Sequence, residues 1–342
     1  MARLKFAIIG CGRISYKHVE AMIDNEKEAE LVAVCDIIKE RAEEKKKQYE
    51  EKIKNYDVKV YTDYIKMLDE LEIDVVTIAT ESGFHGEIAL NCLNKGSHVI
   101  IEKPMAMTLE EIDKINETSE KTGLKVCVCH QNRFNPPIMK LRKAMDEGRF
   151  GQLVNGTARV LWNRDQGYYN LASWRGTKKY DGGTLMNQCI HNIDLLLWMM
   201  GSEVESVKSQ TATFFRNIEM ENYGAIVVKF KNGTIGLIEG SAVVYPKNLE
   251  ETLSIFGETG TVVIGGIAVN EVKTWEFADK RDYDEDCTCK NEVLNVYGNG
   301  HTPLFKDMID AINNCREPLV TGYEARKPVE LILKVYKENN QL

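Results

Sequence analysis

The stretch LKFAIIGCGRIS, residues 4–15, decides the fold. A short apolar run stops at two glycines separated by one residue, Gly10 and Gly12, and gives way to Arg13, Ile14 and a segment with helical character. Strand, tight turn and helix in that order put free amide donors and the positive end of a helix where a pyrophosphate can sit. A second apolar strand, ELVAVCD, ends at Asp36, about the distance at which a carboxylate takes the adenosine ribose hydroxyls. Ser15 stands where the fingerprint has its third glycine, which implies a slightly wider packing of helix on strand. Ile37 and Ile38 follow Asp36 and no arginine waits for a 2′-phosphate, so the expected cofactor is NAD rather than NADP.

Working outward, DVVTIAT, SHVIIEKP and LKVCVCH read as further strands with amphipathic stretches between them. Such alternation predicts a doubly wound parallel sheet with helices on both faces. After about residue 150 the texture changes to longer alternating strands: LVNGTARVLW, VESVKSQTATFF, YGAIVVKFKNGTIGLIEGSAVVY, ETLSIFGETGTVVIGG and AVNEVKTWEF. KNGT and ETGT supply turns. Two helices close the chain, over Pro303–Cys315 and Ala325–Asn339. The expected class is therefore α/β: an N-terminal Rossmann domain over 1–130, then an α+β domain over 131–342 with a large, open, mostly antiparallel sheet. The last helices are able to pack back on the first domain.

Composition agrees with two ordinary globular domains, since 342 residues with 43% hydrophobic and 28% charged can bury a sizeable core. MARLKFAIIGCG has too short an apolar run for a signal peptide or a spanning helix, so a cytoplasmic protein with no membrane partner is expected. The net charge of −8 and the lack of a basic, aromatic-interleaved patch argue against a nucleic-acid partner. Any anionic ligand must then meet local positive groups. The mixed-sign run Lys39–Lys54 reads as a solvated helix face. Of nine cysteines, Cys127/Cys129 and Cys287/Cys289 have one intervening residue, not the spacing of a zinc ribbon. Reduced thiols packed as small hydrophobes are expected, and no metal.

Three stretches carry chemistry. EKP, Glu102–Pro104, closes the strand SHVII at its carboxyl end, where ligands of open α/β sheets bind; Lys103 there either stabilises a developing alkoxide or is a surface lysine. TESGFH, Thr80–His85, follows another strand end and is placed to pass the nicotinamide side of a dinucleotide, with His85 a contact or a helix cap. MNQCIHNIDLLLWMM, Met186–Met200, is an apolar helix interrupted at Asn187, His191 and Asp194, which share one helical stripe. By itself that stripe is either a packed histidine and amide or part of a site.

The start AIIGCGRIS, the EKP turn, the GG-rich turn leading to His-x-x-Asp, and the terminal PLVTGYEARKPVELILKVY together resemble the glucose-fructose oxidoreductase / inositol dehydrogenase (Gfo/Idh/MocA) family over essentially the whole chain. QNRFN, YYNLASWRGT, DGGTLMNQCIHNIDLL and YPKNLEETLSIFGETGTVVIGGIAVN are similar to its branch that oxidises UDP-N-acetylglucosaminuronic acid at C3. The resemblance implies that the His191 stripe faces the sugar beside the nicotinamide. It implies Lys103 and His191 as the catalytic pair, one of them taking the hydroxyl proton, and Asn187 hydrogen-bonding the sugar. Many relatives carry aspartate at that position, and an asparagine cannot act as a base. By the same resemblance Thr80, His85, Glu102, Lys103, Gln131, Trp174 and Arg175 join the cofactor set. Arg164, Tyr169, Lys247 and Asn248 are the candidates for the substrate's carboxylate and diphosphate. Asp194 is expected to orient or pack its helix.

The exposed face of the second sheet and the family habit imply a dimer or tetramer. Three readings stand side by side. The first is a UDP-sugar 3-dehydrogenase serving diacetamido uronic acid and surface polysaccharide synthesis, its NADH either recycled by 2-oxoglutarate or released. The second is another sugar or inositol dehydrogenase. The third is a non-catalytic, NAD-binding, sugar-responsive regulator, which the retention of both Lys103 and His191 disfavours.

Overall fold

The computed structural model describes residues 3–54, 57–288 and 297–341. Contacts divide the chain into two compact units: residues 1–130 with 301–326, and residues 131–300 with 327–342.

The first unit holds six parallel strands, β1 (Leu4–Ile9), β2 (Ala29–Cys35), β3 (Lys59–Tyr61), β4 (Val75–Ile78), β5 (His98–Ile101) and β6 (Val126–Val128), in the order β3-β2-β1-β4-β5-β6. The central strands are buried on both sides, as continuous apolar runs such as FAII and VVTI require. β3 was not legible in the sequence, because three residues at a sheet edge show no periodicity. The helices between strands are α1 (Ser15–Asp24), α2 (Lys39–Glu50), α3 (Tyr64–Glu70), α4 (His85–Asn94) and α5 (Leu109–Thr122). α5 illustrates the local rules: Thr108 accepts the Glu111 amide at its start, Glu110 and Glu111 fill its first turn, and Gly123 ends it with φ +71°.

The second unit begins with α6 (Pro136–Asp146), β7 (Leu153–Leu161) and a short α7 (Gln166–Asn170). Its main helix, α8 (Ile190–Met200), precedes β8 (Val204–Ala212), β9 (Tyr223–Phe230), β10 (Ile235–Ser241), β11 (Glu250–Gly257), β12 (Gly260–Gly265) and β13 (Glu271–Phe277). These seven strands form one sheet, β13-β12-β11-β7-β10-β9-β8, antiparallel except where β10 lies parallel to β7. One face is covered by α8, which packs on β7, β10 and β11. The other face is open, so β9 alternates buried and exposed residues, with Val227 exposed on the open side.

Two further helices are α9 (His301–Asn313) and α10 (Gly322–Glu338). α9 belongs to the first unit, where Phe305 stacks on Phe6 with ring centroids 6.1 Å apart. Tyr336, near the end of α10, is buried in the second unit. Among the described residues no helix is long and apolar enough to cross a membrane. Cys11, Cys35, Cys92, Cys127, Cys129 and Cys189 are buried free thiols, whereas Cys315, just beyond α9, is exposed instead of packed. Cys289 and the side chain of Cys287 lie outside the described residues.

Candidate active site

In the first unit the glycine turn closes against the end of β4. Gly10 has φ +90°, and a Cβ there would lie 2.5 Å from the Ala79 carbonyl carbon and 2.6 Å from the Thr80 nitrogen. Only glycine meets both demands. α1 starts without a side-chain cap and without an acidic residue in its first turn, which leaves the positive end of its dipole for an anion. Ser15 Oγ donates to the Gly12 carbonyl at 2.7 Å, so the residue that replaces the third glycine ties the turn instead. Arg13 is exposed and Ile14 half-buried.

Asp36 accepts the Cys11 amide at 2.7 Å through one oxygen and the Ile38 amide at 2.8 Å through the other. Each carboxylate oxygen keeps acceptor capacity for a ribose diol. Beside it Ile37 is 86% exposed, an apolar surface of the kind an adenine covers. The uncapped start of α1, the glycine approach and the carboxylate fit a dinucleotide without a 2′-phosphate.

Lys103 sits on a turn braced from behind. Glu102, at the end of β5, is 6% exposed and accepts His18 Nε2 at 3.0 Å and His301 Nε2 at 3.1 Å on one oxygen, and the Lys103 amide at 3.2 Å on the other. Burial alone would raise its pKa, but the hydrogen bonds from His18 and His301 outweigh it and hold the carboxyl well below its usual range. His85 is also buried, its ring nitrogens 2.8 Å from the Pro104 carbonyl and 3.1 Å from the Thr80 carbonyl. Glu102 and His85, read from the sequence as cofactor contacts, thus turn their side chains inward to hold the Lys103 turn and the Thr80 loop. Ligand atoms of His18, Glu102, Cys129 and His301 lie within 4.8 Å of one another.

In the second unit the expected helix over Met186–Met200 is present and continuous, but its start is widened. Leu185–Cys189 form a π turn and α8 begins only at Ile190, so Asn187 lies on the wider turn and His191, half-buried, on the first turn of the regular helix. A buried carboxylate caps the start of this helical run. Glu221 accepts the Leu185 amide at 2.7 Å and the Tyr336 hydroxyl at 3.0 Å. One of its oxygens fills the place a Cβ at residue 183 would take, and Gly183 has φ +87°. Burial pushes Glu221 up to about 8, beyond what those hydrogen bonds restore. Asn187 donates to Asp181, whose other oxygen accepts the Gly176 amide at 2.6 Å. Asp194 is 1% exposed and grips Arg133 through two hydrogen bonds, at 2.8 and 2.6 Å, while Arg133 stacks on Trp198. It orients α8 as expected of it.

The loop before this helix gathers positive charge. Arg164 lies over Tyr168 at 5.1 Å and over Trp162 at 4.7 Å; Arg175 lies over Tyr168 at 4.4 Å and over Trp174 at 4.5 Å. Arg175 donates to the Tyr168 hydroxyl at 2.6 Å, and Arg164 to Asn248 at 3.1 Å. Among the described residues neither guanidinium has a carboxylate within ion-pair distance, although the chain is acidic. Tyr169, expected at the substrate, is instead 5% exposed, and burial pushes its hydroxyl up to about 12. Tyr168, half-buried, is the tyrosine that stands against both guanidiniums. Lys247 is exposed, and Asn248 serves as a brace for Arg164. Gln131 opens the second unit, buried in the short helical turn Gln131–Phe134.

Sequence reasoning missed His18, His301, Glu221 and Tyr168. The adjacent tyrosines of YYN gave no sign of which one faces outward, and the other three act across long sequence separations.

Residues 4–130 match the model of the oxidoreductase family with an NAD-binding Rossmann fold, and residues 138–263 match the GFO/IDH/MocA C-terminal domain. The chain is 26% identical to the scyllo-inositol 2-dehydrogenase (NAD(+)) of Bacillus subtilis (strain 168), with 97% of each covered. Among solved structures it is similar to the WlbA dehydrogenase from Bordetella pertussis in complex with NADH and UDP-GlcNAcA, at 34% identity and a TM-score of 0.89, covering 99% of this chain and 96% of that one. The WlbA dehydrogenase from Chromobacterium violaceum, with the same two ligands, is 36% identical with a TM-score of 0.89, covering 99% and 94%.

Proposed function

Because this chain belongs to the GFO/IDH/MocA oxidoreductase family and carries its NAD-binding Rossmann domain, we propose that it oxidises the C3 hydroxyl of UDP-N-acetylglucosaminuronic acid to the 3-keto sugar. The observation that carries this reading is the Arg164–Tyr168–Arg175 stack. Two guanidiniums held on one tyrosine ring without a carboxylate between them would repel each other unless an anion joins them. A uronate or a diphosphate supplies that anion; an uncharged polyol does not. Lys247 extends the positive surface, and Asn248 keeps Arg164 in place.

NAD, when bound, supplies the hydride acceptor. His191 takes the proton of the C3 hydroxyl as its C–H bond breaks, and the Lys103 ammonium stabilises the oxygen as the carbonyl forms. Asn187, its amide anchored on Asp181, presents its oxygen to a sugar hydroxyl. Thr80, Gln131 and Trp174 contribute to the walls of the cofactor and sugar site. A second copy of the chain covers the open sheet face, where Val227, Ile235 and Leu237 are exposed around Thr157, Tyr223 and Ala225. The 3-keto sugar then enters synthesis of a diacetamido uronic acid for surface polysaccharide.

A second reading, a free polyol as substrate, rests on the full-length match to the inositol enzyme. A panel of UDP-N-acetylglucosaminuronic acid, UDP-N-acetylglucosamine and scyllo-inositol with NAD separates the two. It is run with and without 2-oxoglutarate, which reveals recycled NADH. Turnover of the uronate alone supports the proposal, and preference for scyllo-inositol overturns it. Light scattering of the purified protein tests the dimer or tetramer.

A further inference from the structure

Four side chains from four separate parts of the first unit converge beneath the Lys103 turn: His18 from α1, Glu102 from the end of β5, Cys129 from the end of β6, and His301 from the start of α9. Their residue types are those of a metal site, but their geometry is that of a hydrogen-bonded anion. His18 and His301 place Nε2 at 3.0 and 3.1 Å from the same Glu102 oxygen. A carboxylate oxygen that accepts two N–H donors at these distances is satisfied without a metal.

The proton inventory points the same way. Burial lowers the pKa of His301, so the ring is neutral, and its Nε2 carries the hydrogen that Glu102 accepts. His301 Nδ1 is buried and has no partner among the described residues. His18 hydrogen-bonds Thr77 through Nδ1, which pins its ring between β4 and Glu102. The Cys129 thiol is pushed well up, first by burial and then by the Glu102 charge, so it remains protonated. The other titratable groups near the cluster are Lys103, His85 and Lys17. The second Glu102 oxygen is left to accept the Lys103 amide at 3.2 Å.

We propose that His18 and His301 are positioning residues for Lys103, acting through Glu102: the two imidazoles fix the carboxylate, and the carboxylate fixes the backbone from which the Lys103 ammonium reaches the reacting oxygen. The inference deepens the proposed function and rests on its assignment of Lys103 to that oxygen. A carboxylate held from two sides cannot rotate, so the peptide it accepts from has one position. Misplacing a catalytic group by about 1 Å costs on the order of a hundredfold in rate.

The experiment uses the full-length protein with His18→Leu, His18→Gln, His301→Leu and His301→Gln. Glutamine keeps a donor near Nε2; leucine does not. Three quantities are read: kcat and KM for NAD and for the nucleotide sugar, the melting temperature, and the rate of Lys103 amidination relative to Lys229, followed by mass spectrometry without substrate. The leucine variants should lose about tenfold to a hundredfold in kcat, with KM for NAD changed less than about threefold. Lys103 should be amidinated severalfold faster relative to Lys229, and the glutamine variants should recover most of both losses. Leucine variants with wild-type kcat and labelling overturn the proposal, as does a loss that glutamine fails to rescue. One equivalent of zinc retained by the purified protein overturns it in favour of a metal centre. If the wild type turns over neither a nucleotide sugar nor a polyol, the proposed reaction fails, and the substrate-free labelling ratio still decides this inference.

Discussion

Glu102 and Glu221 are both buried carboxylates beneath functional turns, one in each unit, and their surroundings treat them oppositely. Glu102 has donors on both oxygens, from His18, His301 and the Lys103 amide, and is held as an anion. Glu221 has both of its donors, the Leu185 amide and the Tyr336 hydroxyl, on a single oxygen, and burial pushes it up to about 8. Burial sets the cost of a charge, and the count of donors decides whether it is met. The turn under Lys103 is therefore braced by an ionic hydrogen-bond cluster, whereas the π turn before His191 is braced by a neutral acid.

The largest expected effect sharpens this comparison at the chemistry each brace serves. Lys103→Ala and His191→Ala should each lower kcat by about 10²–10⁴-fold, read by turnover, with NAD affinity retained in a binding titration. Normal turnover in both variants would sever the braces from catalysis.

Next comes stability. Glu102→Gln sets an amide donor against existing donors and should cost about 3 kcal/mol in denaturant unfolding at pH 7. Glu221→Gln imitates the protonated acid and should cost less than about 1 kcal/mol. Equal losses would break the contrast.

The pH dependence separates them again. For Glu221 the folded value of about 8 exceeds the ordinary 4.5, so its contribution is complete below about pH 4.5 and is lost as pH rises toward 8. Glu251, also pushed up to about 8 by burial, behaves alike. Glu221→Gln should therefore flatten the fall in stability between pH 5 and 8, by an amount on the order of a few kcal/mol at the upper end. Glu102 has the reverse sign: its contribution is present above the ordinary carboxylate range and is lost as pH falls below it.

Asp36→Ala should weaken NAD binding about tenfold and narrow the preference over NADP, measured by paired titrations. Smallest, Arg175→Lys should raise KM for the anionic sugar severalfold and leave kcat nearly intact, since lysine keeps the charge but loses the stack on Tyr168 and Trp174. A larger effect on scyllo-inositol than on the uronate would contradict the anion reading.

The first unit was far more legible than the second, and the reason is physical. A dinucleotide cradle is made by one contiguous strand, turn and helix, so Gly10, Gly12, Ser15 and Asp36 declare it within 27 residues. The braces are assembled by tertiary contact. His301 reaches Glu102 across 199 positions and Tyr336 reaches Glu221 across 115, separations at which no periodicity operates. The π turn was hidden for a related reason: Leu185–Met200 reads as one helix, as it is, and the carboxylate that caps its widened start, Glu221, comes from another strand connection. Parallel pairing of β10 with β7 inside an otherwise antiparallel sheet likewise depends on chain return, not on local pattern. Cys315 is exposed because it follows the end of α9, where φ is +53° and the chain turns at the surface.

The central claim is that hydride leaves C3 of a uronate-bearing nucleotide sugar. The most direct test is a single turnover of stripped protein with NAD and UDP-N-acetylglucosaminuronic acid deuterated at C3, with both nucleotide and sugar weighed by mass spectrometry. The account predicts one deuterium in the reduced nucleotide and a sugar that has lost that deuterium together with the hydroxyl proton. An unchanged sugar, or reduced nucleotide free of deuterium, would contradict it.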